Sequence, residues 1–189
     1  MIDLTDAECI GSGSERAVYI HPNDPDKLIK IIHQGRKNLQ TKRETKAYKR
    51  LTKRLPDTND AWKHLPKYYG ECSTNIGEGQ VVEAIRDYDG SISQTLQVYL
   101  EKNSVASYRN ELNVLKQYLL DNIVIINHDI SSLLNIVVKK TNEKENILVL
   151  VDALGDHTAI KILNIIPSLA RQKINRRWAK LENSLKEFD

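Results

Sequence analysis

Between residues 10 and 32 the sequence IGSGSERAVYIHPNDPDKLIKII alternates short apolar runs with turn formers. Residues 17–20 and 28–32 read as two strands, joined by the turn-forming run His-Pro-Asn-Asp-Pro-Asp at 21–26. Gly11 and Gly13 lie between a short first strand and the 17–20 run, where backbone amides without a Cβ can approach a polyphosphate. In the 28–32 strand one cation, Lys30, interrupts an otherwise continuous aliphatic run. Such a lysine sits either at a solvent-facing edge or indoors against a partner.

The period then becomes helical. Residues 37–55 carry an apolar stripe at Tyr48, Leu51 and Leu55, and one turn back along it stands Glu44. An ionised carboxylate on that face must be paired or it costs several kcal/mol of desolvation. Two placements remain open: indoors, with Lys30 as its partner, or at the wet margin of the stripe beside Arg43 or Lys46. Residues 65–72 and 80–85 read as an antiparallel strand pair around a 75–79 turn. A polar connector at 86–90 leads to helical periodicity over 91–101 and 105–120, the latter with Tyr108, Leu112, Leu115 and Leu119 as its core stripe. Residues 123–126 form an apolar run. Residues 135–138 and 147–151 form a further apolar pair that delivers Asp152 and Gly155 at its end, and 167–188 is an amphipathic helix with Leu169, Ile174, Trp178, Leu181 and Leu185 inward.

A chain of 189 residues suits one unit or two small lobes sharing a cleft. The net charge of +3 matters less than its distribution, because nine Lys or Arg lie within residues 36–54 with Glu44 as the only acid. Arg171, Lys173, Arg176, Arg177 and Lys180 crowd the last helix. Such faces are most often simply solvated, although an acidic partner at the basic helix 37–54 or a nucleic acid would fit. No helix-turn-helix spacing, zinc motif or aromatic ribonucleoprotein signature accompanies the charge. Cys9 and Cys72 have neither metal-ligand nor disulfide spacing and read as small buried hydrophobes of a reducing compartment. The N-terminus has no leader pattern and no apolar run is long enough for a bilayer, so a cytoplasmic protein is expected.

Taken in order, the glycine hairpin, Lys30 in a strand, Glu44 in the next helix, the 84–90 connector, Asn135 and Asp152 resemble the parts of a protein kinase over residues 11–155. The segments IGSGSERAVYIHP, IKI, RETKAY, LPKYYG, YLLDNIVI and NIV resemble, more narrowly, the bacterial YrbL family of PhoP-regulated network proteins. That resemblance implies an α+β, minimal kinase-like bilobal fold, with an antiparallel sheet in an N-lobe of about residues 1–86 and a reduced helical C-lobe of about 87–189. It also implies ATP and magnesium as ligands. Gly11 and Gly13 would cover the phosphates, Val18 would lie over the base and Ala84 beside it. Lys30 would touch phosphate and be held by Glu44, while Asn135 and Asp152 would hold the metal.

The chain departs from that pattern at several points. A kinase has its catalytic Asp five residues before the asparagine, where Ile130 stands here; Asp129, preceded by His128, is one residue early. The third glycine of the loop is Arg16, a further residue separates Asp152 from Gly155, and only 34 residues follow Gly155. Two functions follow: a minimal atypical kinase in which Asp129 serves an unknown protein or small-molecule acceptor, or a pseudokinase-like regulatory module that binds without catalysis. Nucleic-acid binding is a third, weaker reading.

Overall fold

The computed structural model describes residues 1–35, 39–155 and 166–188. Lys37, the first residue of the expected basic helix, lies outside them, as does Arg36 before it. Five antiparallel strands, β1 Cys9–Ser12, β2 Arg16–His21, β3 Asp24–Ile32, β4 Tyr68–Thr74 and β5 Gly77–Glu83, form a sheet ordered β1-β2-β3-β5-β4. β3 begins earlier than its apolar pattern implies. His21 pairs with Asp24 across a tight turn at Pro22 and Asn23, so the polar residues after the turn already belong to the ladder.

Strand periodicity sorts β3 into two faces. Ile29 and Ile31 pack with Leu4 and Val81 in a small cluster closed by Ile2 and Ala7. Leu28 and Lys30 lie on the other face, and Lys30 reaches Glu44 of helix α1, Leu39–Thr52. On α1, Glu44, Thr45, Tyr48 and Leu51 are buried, so the stripe does extend back to Glu44. The two cysteines depart from the expected burial: Cys9 is exposed and Cys72 half-buried, both as free thiols, because each lies on an outer strand of the sheet.

After a short helix α2, Asn59–Trp62, and the sheet's last two strands, the chain becomes mostly helical. Helix α3 covers only Leu96–Leu100 rather than 91–101, since the residues before it pair as extended chain. Ser93 N–H donates to the Ile85 carbonyl at 3.0 Å and the Gln94 carbonyl accepts from Val138 N–H at 2.9 Å. A 3-10 turn at Val105–Tyr108 precedes α4, Arg109–Asp121. The 123–126 run joins no multi-residue strand; Val124 and Ile126 pack inward and Ile126 bridges to Leu154. Strands β6 Ile136–Lys140 and β7 Asn146–Leu150 form the expected two-stranded ribbon, and α5, Pro167–Leu185, supplies Ile174, Trp178, Leu181 and Leu185 to the core.

That core runs continuously from Tyr48 and Leu51 of α1 through Leu112, Leu115 and Leu119 of α4 to Ile130, Ile136 and Leu148. His64 ties into it. Its Nδ1–H donates to the Leu148 carbonyl at 2.7 Å while its own carbonyl accepts from Leu150 N–H at 3.0 Å, extending the β6-β7 ribbon. The carbonyl can only accept, which leaves Nε2 of the neutral ring buried without a partner among the described residues. Burial pulls the His64 pKa below the ordinary histidine value. Among the described residues no helix is long and apolar enough to cross a membrane.

Candidate functional site

The Lys30 face of the sheet bounds a cleft of about 660 Å³. Val18 is paired with Lys30, and Leu28 with Val82, so alternation places Arg16, Val18, Leu28, Lys30 and Val82 on one side of three neighbouring strands. All five line the cleft, with Gly11 and Gly13 at the hairpin, Asp152 at the floor, and Asp129 and Asn135 on the opposite side. Gly13 N–H closes the hairpin on the Arg16 carbonyl at 2.9 Å, and a Cβ added at Gly11 would meet only open space. Ala84 does not line the cleft. β5 ends at Glu83, the strand phase lapses there, and Ala84 is buried with its N–H on the Asp26 carbonyl at 2.8 Å, leaving Glu83 and Ile85 as lining residues.

Four charges form the floor. Lys30 Nζ lies 3.0 Å from Glu44 Oε1 and donates to the Val151 carbonyl at 2.8 Å. Lys30 is 7% exposed and Glu44 1%, which decides between the two placements left open by the sequence: the pair is indoors. Arg16 is the addition that sequence reasoning missed. From the start of β2 its Nη1 donates to Glu44 Oε2 and, at 3.1 Å, to Gln80 Oε1, while Nη2 meets Asp152 Oδ2 at 2.5 Å. Gln80 is itself held by Thr45 Oγ1 at 2.5 Å. Two cations and two carboxylates thus neutralise one another, as buried charges must.

The titrations follow this pairing. Burial alone would lower the Arg16 pKa, but Glu44 and Asp152 outweigh it and hold the guanidinium above the ordinary arginine value. Burial likewise works to raise the Asp152 carboxyl, yet Lys30 and Arg16 keep it below the usual carboxylate range. A signal for Arg16 was present in the period of β2, since it is in phase with Val18 and therefore with Lys30. Seen only as a missing glycine, it conceals that phase.

Across the cleft, residues 127–135 fold into two 3-10 turns, His128–Ser131 and Leu133–Asn135. Asn127 Oδ1 accepts from Asp129 N–H at 2.7 Å, and Asn135 Nδ2 donates to the Asp129 carbonyl at 2.7 Å. Asp129 Oδ1 stands 3.2 Å from His128 Nε2. Ile130 is fully buried in the core. The turn therefore directs Asp129 to the cleft and the residue in the kinase register to the interior.

Magnesium, the metal implied by the kinase resemblance, prefers a near-octahedral set of oxygens. Asp152 Oδ1 already accepts from Ala153 N–H at 2.7 Å and Gln40 Nε2 at 3.4 Å, and Oδ2 is held by Arg16. Among the described residues no group of three or more His, Cys, Asp or Glu is placed to hold a metal ion. With Arg16 where it is, Oδ2 of Asp152 is already taken up by a guanidinium rather than open to a divalent metal.

The sequence is 34% identical over 188 residues to the uncharacterized YrbL proteins of Escherichia coli and Shigella flexneri, covering 95% of this chain and 86% of each relative. It also matches the family described as PhoP regulatory network protein YrbL across residues 2–186. Near-complete coverage at that identity means that the chain belongs to the YrbL family.

Proposed function

We propose that the cleft binds a nucleoside triphosphate, ATP, in a kinase-like bilobal fold, with residues 1–86 forming the N-lobe and 87–189 the C-lobe. The observation that carries this reading is the buried Lys30–Glu44 pair, strand lysine to helix glutamate, beside a glycine hairpin and a 660 Å³ cleft. Val18, Leu28, Val82 and Val137 give that cleft apolar walls suited to a base, and Lys30 supplies charge for phosphate. The family description points to a regulatory network, so the nucleotide acts here as a signal that biases the fold toward or away from a partner. The exposed cations Lys42, Lys46, Lys49 and Arg50 of α1 offer an acidic partner a surface. Binding there would weaken steeply with salt.

Thermal melts test the nucleotide. ATP at millimolar concentration raises the melting temperature of the wild type and not of Lys30→Met, which still melts cooperatively. An unchanged wild-type melt removes the reading. A second reading, slow phosphoryl transfer, is favoured by one observation: Asp129 lines the same cleft as Lys30 and Asp152. Labelled phosphate transfer or hydrolysis lost in Asp129→Asn supports it, and no turnover in the wild type leaves a binding module alone.

A further inference from the structure

We propose that Arg16 takes the place of the divalent metal, so that the cleft binds nucleoside phosphate through Arg16 and Lys30 without magnesium. This rests on the nucleotide reading above. It starts from the disagreement at Asp152, whose Oδ2 is held by a resident guanidinium at 2.5 Å. To use that oxygen a magnesium ion would have to displace a side chain that is only 6% exposed and that Glu44 and Gln80 also hold.

Arg16 is equipped for the role. A guanidinium carries five N–H donors in a planar fork and keeps its charge at any relevant pH. Three of those donors go to Glu44, Gln80 and Asp152. The remaining two, one of them on Nε, have no acceptor among the described residues, and Arg16 lines the cleft together with Lys30. Phosphate oxygens accept charge-assisted bonds from such a fork. Without ligand the four charges of the floor sum to zero. An arriving phosphate therefore competes with the Asp152 carboxylate for Arg16, whereas a metal-dependent site would need that carboxylate as a ligand. The two arrangements give opposite signs for the same substitution.

Calorimetric titration of ATP into the wild type, once in excess EDTA and once in millimolar magnesium, reads the difference. The expected dissociation constants agree within about fivefold, roughly 1 kcal/mol. Asp152→Asn keeps the side chain's shape and removes its charge, and it is expected to bind ATP in EDTA about three- to tenfold more tightly than the wild type. A larger loss of affinity in EDTA, or Asp152→Asn binding no better than the wild type, overturns the inference and leaves nucleotide binding standing. No ATP binding in either buffer overturns the nucleotide reading and this inference with it. Arg16→Gly, which restores the third glycine of the loop, is expected to bind ATP only with magnesium; should it fail to fold, the Asp152→Asn titration decides.

Discussion

Beneath the glycine hairpin, Arg16, Lys30, Glu44 and Asp152 bind one another mainly through side-chain charges. Across the cleft, Asn127 and Asn135 direct their amides to the backbone of Asp129. In the first region Arg16, Lys30 and Glu44 are buried and both cations share Glu44, so removing that carboxylate strands them. The second is a shaped turn in which Ile130 provides the buried anchor and the carboxylate of Asp129 meets His128 of the same turn at 3.2 Å. The contrast separates what holds the cleft together from what could perform chemistry in it.

The largest expected effect tests the first region. Glu44→Ala leaves two cations indoors without their shared partner and should cost about 3–5 kcal/mol in urea denaturation, whereas Lys30→Met should cost under about 2. A reversed order would break the contrast. On the other side, Ile130→Asp restores a carboxylate in the kinase register but at a fully buried position. It should destabilise by about 3 kcal/mol and confer no turnover. A stable Ile130→Asp protein with new phosphotransfer would show that the loop, and not its anchor, is the adaptable part.

Gly155 stands between the two regions with φ of 92°, and a Cβ there would lie 3.0 Å from the Arg43 carbonyl oxygen of α1. Gly155→Ala should cost about 1–2 kcal/mol, read from the same denaturation curves. His64 sets a pH dependence away from the cleft. Its folded pKa is depressed, so below about pH 6.5 the unfolded chain binds a proton that the folded ring resists. Stability therefore falls as pH drops from the ordinary histidine value toward the depressed one. Thermal melts should show that slope in the wild type and a shallower one in His64→Gln. Smallest of all, Asp129→Asn should change stability by no more than about 0.5 kcal/mol.

Much of this was legible in the sequence, for identifiable reasons. A single cation inside an aliphatic strand and a glutamate one turn back on an apolar stripe each carry a desolvation cost, and sharing it is the physical solution the structure adopts. The β6-β7 ribbon followed from two apolar runs around a charged turn. Helix α3 did not, because residues 92–95 find extended partners in Ile85, Arg86, Val137 and Val138, a tertiary pairing that overrides local period. Ala84, set beside the base by the kinase resemblance, does not line the cleft, because strand phase lapses once β5 ends at Glu83. Arg16 was overlooked because a motif position was read for the residue it lacked, although its phase with Val18 places it beside Lys30.

Lys30 and Arg16 reach from the sheet to consecutive residues, Val151 at 2.8 Å and Asp152 at 2.5 Å. Because the same two side chains also hold Glu44, these contacts join the sheet, helix α1 and the end of the β6-β7 ribbon at a single place. Losing either side chain would leave the sheet tied to that end of the ribbon at one residue instead of two.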